Sequence, residues 1–418
     1  MKRGLLALVR VLCGSLLCMH VMAQVPVQQS LVVAAFPAMD EVVRLALPRW
    51  KQLHPDVPVR LLSRSFEDHH SVMLAALNTA TRVPDVLVVE VAHLGNFATS
   101  GKLEELDQPP YSAIDLHNRF VPYAFSQARS RANHVIALPV DVGLSTMFYR
   151  SDLLQQSGLV ETDLTRSWES FIASGVVIKA KTGRALLAHV RNLVDVMIQM
   201  NLSPTEGIFF DKDGRSLVQT PRFVRAFELA LRMRRLGLDA GLTSWTPDWT
   251  NGVRQNKVVV MLSGSWMSGH LTNWLAPDQR GLWRVAQLPE NTWGMSGGSF
   301  LTIPKASKNK ALAWEFSRLI AMDPQRQMEA FKTRNSFPAL LAVQNDAFFE
   351  QGQDYFGGQA TRLLWRQASH QVKGAVVSPM EREVRSVIHE ELEKVLGQGK
   401  DIHQALADAA LTLERWAH

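Results

Sequence analysis

At 418 residues the chain exceeds what one ordinary core serves and suits two domains. An apolar fraction of 46% with 20% charged residues excludes a disordered chain. The net charge of +6 drops to +3, 42 basic against 39 acidic residues, once Lys2, Arg3 and Arg10 are set aside. With no basic block interleaved with aromatics, that balance excludes an electrostatic nucleic-acid binder.

Those three cations lie in Met1–Ala23, which has a basic start, an apolar run from Val11 through Val21 and a Val-Met-Ala end before Gln24. These are the parts of a secretory signal, interrupted only by Arg10. Cys13 and Cys18 are the only cysteines, and both leave with it. Bulky Leu12 and Leu17 precede them, which argues against lipid attachment. The mature chain is therefore expected to hold no disulfide, cysteine ligand or cysteine nucleophile. No later segment stays apolar for ~18 residues, so no membrane span is expected.

Leu31–Phe36 has the length and apolarity of a strand, and Ala38–Leu53 the spacing of an amphipathic helix that ends near Pro55. Val57–Leu62 alternates as a strand, Glu67–Thr79 reads as a helix, and Pro84-Asp85 opens the apolar strand Val86–Val89. Strand–helix–strand–helix–strand at this pitch predicts a parallel sheet covered on both faces. Val135–Pro139 and Thr146–Tyr149 follow as strands. Helices are predicted over Ser151–Ser157, Trp168–Ala173, Arg191–Asn201 and Pro221–Leu236. Val258–Leu262 is a strand turning through Gly264 and Trp266 into a helix from Met267 to Leu275, and Trp283–Leu288 is another strand. Gly294, Gly297 and Gly298 read as a glycine-rich turn, followed by the strand Ser299–Ile303 and a helix from Asn309. Beyond Pro324 the pattern is helical: Gln325–Lys332, Tyr355–Lys373, Met380–Leu396 and Ile402–Trp416.

In parallel α/β sheets ligands sit beyond the carboxyl ends of strands. Those ends carry Phe36 with Asp40 and Glu41 after it, then Glu90, then Asp141. A carboxylate accepts two hydroxyl donors with charge-assisted strength, though Asp40 and Glu41 also suit a helix N-terminus. Trp266 begins a helix after a strand and so stands at a sheet rim. An aromatic plate there buries the apolar C–H face of a sugar ring. Trp245, Trp249 and Trp293 lie near turns, which leaves ligand plate and core packing both open. Gly298 and Ser299 can offer backbone N–H groups and a hydroxyl to ligand oxygens. Gly294-Met-Ser296-Gly-Gly298 satisfies G-x-S-x-G, yet a strand follows where a nucleophile elbow needs a helix. His389-Glu-Glu lacks the second His of a zinc protease, and Asp211-Lys-Asp-Gly214 is too short for a calcium loop.

The segments VPDVLVVE, ALPVDVGLSTMFYRSDLL, VVVMLSGSWMSG and GGSFLTIPKASKNKALAWEF occur in this order, and together they resemble the bacterial extracellular solute-binding protein family 1. That family includes maltose- and glycerol-phosphate-binding proteins of ABC importers. The resemblance implies an α/β fold of two lobes, each a mainly parallel sheet flanked by helices, with the ligand cleft between them. It implies a signal peptide over 1–23, an N-terminal lobe of 24–139 plus 288–322, and a C-terminal lobe of 140–287 plus 323–418. The expected function is a non-enzymatic periplasmic component that captures a mono- or oligosaccharide or polyol by hinge closure and delivers it to the membrane permease. The resemblance also places Arg334 and Phe337 at a ligand loop. The expected ligand set is Phe36, Asp40, Glu41, Glu90, Asp141, Trp249, Trp266, Trp293, Gly298, Ser299, Arg334 and Phe337. Neither cofactor nor metal is expected, and a monomer is. Two alternatives stand: glycerol phosphate or a polyamine on the same fold, and a secreted serine hydrolase using Ser296.

Overall fold

The computed structural model describes residues 30–373 and 376–417. The expected signal peptide, with Cys13 and Cys18, lies outside the described residues.

β1 (Leu31–Ala35) pairs in parallel with β2 (Val59–Ser63) and β3 (Val86–Glu90), giving the order β2-β1-β3. β1 and β3 are buried almost throughout, as unalternating apolar runs require. The helix Met39–Leu53 connects β1 to β2 and buries Met39, Val42, Val43, Ala46 and Trp50 on one stripe. The helix Phe66–Thr79 starts at Ser65, whose hydroxyl accepts from Asp68 N, and leads to β3.

Two strands then tie this lobe to a second. β4 (Leu138–Arg150) is a single run of 13 residues where two shorter strands were expected. β5 (Val260–Gly264) and β6 (Trp283–Ala286) pair with its far half, and β7 (Met295–Thr302) with its near half. β7 also pairs with β3, from Leu87↔Thr302 to Glu90↔Ser299. All four of these ladders are antiparallel. The parallel character expected of each lobe thus holds for β2-β1-β3. In the second lobe parallel links appear as the bridges Ala185↔Val258 and Leu187↔Asp239. The cause is topological: β4 leaves the first lobe and β7 returns to it, so the two must run in opposite directions.

Gly297 and Gly298 lie inside β7 and Gly294 just before it, a correction to the expected turn. Gly297 (φ 86°) and Gly298 (φ 145°) occupy backbone conformations that favour glycine, and the ladder to β4 shifts register at Pro139/Asp141 and Val142/Leu144. A third segment crosses beside them: Val142 N donates to Phe337 O (3.0 Å), and Asp141 bridges Pro338.

The second lobe packs Trp168–Thr182, Arg191–Met197, Pro221–Arg235, Glu381–Gln398 and Ile402–Ala417 as helices. The helix expected from Tyr355 begins only at Thr361, because Gly357 and Gly358 turn the chain at positive φ. The helix Pro324–Arg334 lies instead against Met39–Leu53 of the first lobe, where Arg326 Nη1 donates to Leu45 O (3.2 Å).

Candidate functional site

Where β3 and β5 end and β7 begins, the chain builds an aromatic wall. Trp266 follows β5, and its Nε1 donates to Ser296 O in β7 (2.8 Å). Gly264 makes room for the ring, since a Cβ there would fall 2.1 Å from Trp266 Nε1. Trp245, 53% exposed, lies over Trp266 with ring centres 5.8 Å apart and planes at 29°. Its backbone sits at φ 70°, a strained conformation of the kind that gathers at functional sites. Trp249 lies behind in the core, 2% exposed, 5.2 Å from the Trp245 ring.

These indoles line a pocket of about 150 Å³ whose polar rim includes Asn192, Asp195, Gln199, Ser244 and Ser263. Recesses of about 730 Å³ lie on the outer face of the second lobe, but they share no residue with the crossing segments. The smaller pocket carries the aromatic wall and adjoins the crossing at Ser296, so it is the candidate site.

Charged groups gather next to it. Asp195 Oδ1 accepts from Arg385 Nη1 (2.8 Å) and His389 Nε2 (2.9 Å). Burial pushes the Asp195 carboxyl up, but His389 and Arg385 outweigh it and hold the group down at about 2. Arg385 Nη2 also lies 3.5 Å from Glu381 Oε1. Burial lowers the Arg385 guanidinium, and the Asp195 and Glu381 carboxylates outweigh it, so the group stays charged. Glu90, at the end of β3, faces this set from the first lobe. Its Oε2 accepts from Ala92 N (2.8 Å), while Oε1 lies toward Gly297 and Trp266. The residue keeps a little exposed surface, yet its carboxyl is enclosed. Burial, aided by Glu381 and opposed by the Ala92 N–H and Arg385, pushes it up to about 8. A neutral carboxyl donates as well as accepts, which suits hydroxyl partners. Among the described residues no group of three His, Cys, Asp or Glu is placed to hold a metal.

Of the residues singled out from sequence, Trp266 and Glu90 come together here, with Trp245 beside them. Trp293 lines an adjoining recess with Asn201 and Lys373, joined to the first through Gln199. Asp141 is an internal tie: Oδ1 accepts from Ser299 N (2.7 Å) and Oδ2 from Ser336 Oγ (2.9 Å), which binds all three crossing segments. Gly298 and Ser299 belong to the same tie. Trp249, Phe36 and Phe337 are core residues, Phe36 against Phe66 and His70, and Phe337 against Phe331 and Phe349. Asp40 accepts from Ser63 Oγ (2.7 Å), and Glu41 pairs with Arg334 (2.8 Å) at a half-exposed contact. Ser296 sits within β7 with its carbonyl engaged by Trp266, not at a strand-to-helix turn. Asn192 and Asp195 had a readable signal that the sequence reading passed over: a spacing of three puts both polar groups on one face of the helix Arg191–Met197, with Gln199 just beyond its end.

Two lobes joined by three crossing segments, with an aromatic pocket adjoining them at Ser296, define the architecture of a two-lobed binding protein. Residues 49–357 match the bacterial extracellular solute-binding protein family, and the chain belongs to it. It is 25% identical over 336 residues to a lactose-binding protein of Rhizobium radiobacter, covering 76% of each chain. It is 21% identical over 324 residues to an arabinooligosaccharide-binding protein of Halalkalibacterium halodurans, covering 74% of this chain and 71% of that one. Among solved structures, an extracellular solute-binding protein family 1 member superposes with a TM-score of 0.79 at 22% identity, over 92% of this chain and 98% of its own. A binding protein of B. animalis subsp. lactis in complex with beta-1,6-galactobiose gives 0.76 at 21% identity, over 93% and 97%.

Proposed function

We propose that this protein captures a carbohydrate between its lobes and hands it to the permease of an ABC importer, acting by binding rather than catalysis. The observation that carries the reading is the aromatic wall of Trp245 and Trp266, which shares a pocket with Asp195 and Gln199, with Glu90 close by at Gly297 of the crossing strand β7. Indole faces take the C–H side of a sugar ring, and the carboxyl and amide groups take its hydroxyls. The matched relatives named for lactose and arabinooligosaccharides support the same ligand class. Export through residues 1–23, a periplasmic site of action and a monomeric state belong to this proposal. So does the lobe division, with residues 24–139 plus 288–322 joined by the helix Pro324–Arg334 in the first lobe.

Titration calorimetry against lactose, galactobiose, arabino-oligosaccharides, maltose, a polyol, glycerol phosphate and spermidine tests it. A sugar that binds should also raise the melting temperature, by a stabilisation of about 2.7 kcal/mol at a hundredfold excess over Kd. Binding of glycerol phosphate or spermidine alone would move the protein to another ligand class. Silence across the panel would remove the reading.

A further inference from the structure

The aromatic surface does not stop at the pocket. Trp266 meets His270 edge-to-face, 5.6 Å between ring centres with planes at 86°, and His270 meets Trp274 edge-to-face, again 5.6 Å with planes at 84°. Trp245 closes on the same imidazole at 5.2 Å. Single exposed apolar side chains are ordinary on a protein surface. Here Trp245 at 53% and Trp274 at 41% exposure both pack edge-to-face on one histidine beside the candidate site.

Trp274 is also held rigidly. Its Nε1 donates to His270 Nδ1 (2.8 Å), and its carbonyl accepts from Arg254 Nη2 (2.7 Å). Arg254 Nε takes the next carbonyl, of Leu275 (3.0 Å), at the end of a π-helical turn over Leu271–Leu275. Such turns recur at functional sites, and a plate fixed in advance loses little entropy when a ligand lands on it. The Trp274 bond leaves His270 Nδ1 without a proton, so the imidazole carries its proton on Nε2. A histidine N–H donor therefore accompanies the two exposed indoles. That combination fits a pyranose or furanose unit, which stacks its C–H face and accepts at a hydroxyl oxygen.

We propose that His270 and Trp274 form an outlying sugar platform, so that the ligand is an oligosaccharide whose end units protrude from the cleft along this row. The inference rests on the carbohydrate reading and narrows it to chains longer than the pocket holds.

The test is a size series from mono- to tetrasaccharide, of galactosides and arabinosides, titrated by calorimetry into the full chain and into Trp274→Ala and Trp274→Phe. Wild-type affinity should rise with chain length. Trp274→Ala should lose about tenfold or more for the longest binder and almost nothing for the shortest, the loss of one stacking contact. Trp274→Phe should recover most of that loss, because it restores an apolar face. Equal losses at every length would show an effect relayed through Trp266, and unchanged affinities would assign the row to a protein contact; either result overturns the proposal. If no sugar of the series binds the wild-type chain, the carbohydrate reading itself falls and takes the platform with it.

Discussion

Trp249 and Trp266 both pack against Trp245, at 5.2 Å and 5.8 Å between ring centres, and substitution separates their roles. Trp249 is enclosed by the second-lobe core, so Trp249→Ala should cost about 3–5 kcal/mol of stability through cavity formation. Trp266 is half-buried at the cleft, so Trp266→Ala should cost about 2–4 kcal/mol of sugar affinity, as central aromatic anchors do. Its fold penalty should stay below that of Trp249→Ala, because the ring is only partly buried against the core and loses one bond, to Ser296 O. Denaturation without ligand, set beside calorimetry, reads both quantities. A Trp266→Ala protein as unstable as Trp249→Ala, with intrinsic affinity intact, would sink the stacking role. Glu90 offers a second residue-scale test. The folded chain holds this proton up to about pH 8, against 4.5 for the free group. A folded state that binds the proton more tightly is favoured at low pH and loses stability as pH rises through that window. Glu90→Gln keeps an acceptor for Ala92 N but cannot ionise. It should raise the unliganded melting temperature above about pH 8, with the gain shrinking to nothing near about pH 4. A gain independent of pH would show that ionisation at Glu90 does not limit stability.

At the scale of elements, β4 and β7 are pressed together where glycine stands. A Cβ on Gly143 would fall 1.7 Å from the backbone oxygen of Ser296, a clash that no rotamer relieves. Gly143→Ala should therefore destabilise the chain by at least about 1–3 kcal/mol, read from the denaturant midpoint. A midpoint equal to wild type would mean the crossing strands slide freely. This same closeness explains what the sequence could and could not tell. β1 to β3 and their helices follow plain periodicities, and they were readable to within a residue or two. β7 was read only from Ser299 onward, because Gly297 and Gly298 count against a strand unless a bulge is already known. Trp266 and Glu90 were legible since each stands just past a strand that names itself. Asp141 was legible as a strand-end carboxylate but not as a tie, because its partner Ser336 is 195 positions away. Glu381 and Arg385 face Glu90 only after the lobes meet, and no local pattern marks such a meeting.

The meeting of the lobes is itself specified by few residues. The segment 376–380 is held on the second-lobe side by Val376 N donating to Glu206 O (3.1 Å). On the first-lobe side Met380 N donates to Asn96 Oδ1 (2.7 Å), and Arg382 pairs with Glu67. Beneath the segment lies Gly95, in the helix Val91–Thr99, where a Cβ would come 2.1 Å from Ser378 O. Exposed ion pairs such as Arg382–Glu67 contribute about 0–1 kcal/mol, so backbone contact at Gly95 governs how closely the lobes approach. Alanine is the better helix former by about 1 kcal/mol, so Gly95→Ala should leave the first lobe as stable as before or slightly more so. It should nevertheless hold the lobes apart. A ligand that draws its affinity from contacts on both lobes then loses the share made by one of them. The expected outcome is an unliganded melting temperature unchanged or raised, and sugar affinity reduced by about tenfold or more, equal to about 1.4 kcal/mol. Small-angle scattering at saturating ligand should show no compaction of the variant where the wild type contracts. Wild-type affinity together with normal contraction would mean that the segment 376–380 travels with the first lobe, and that closure is limited elsewhere.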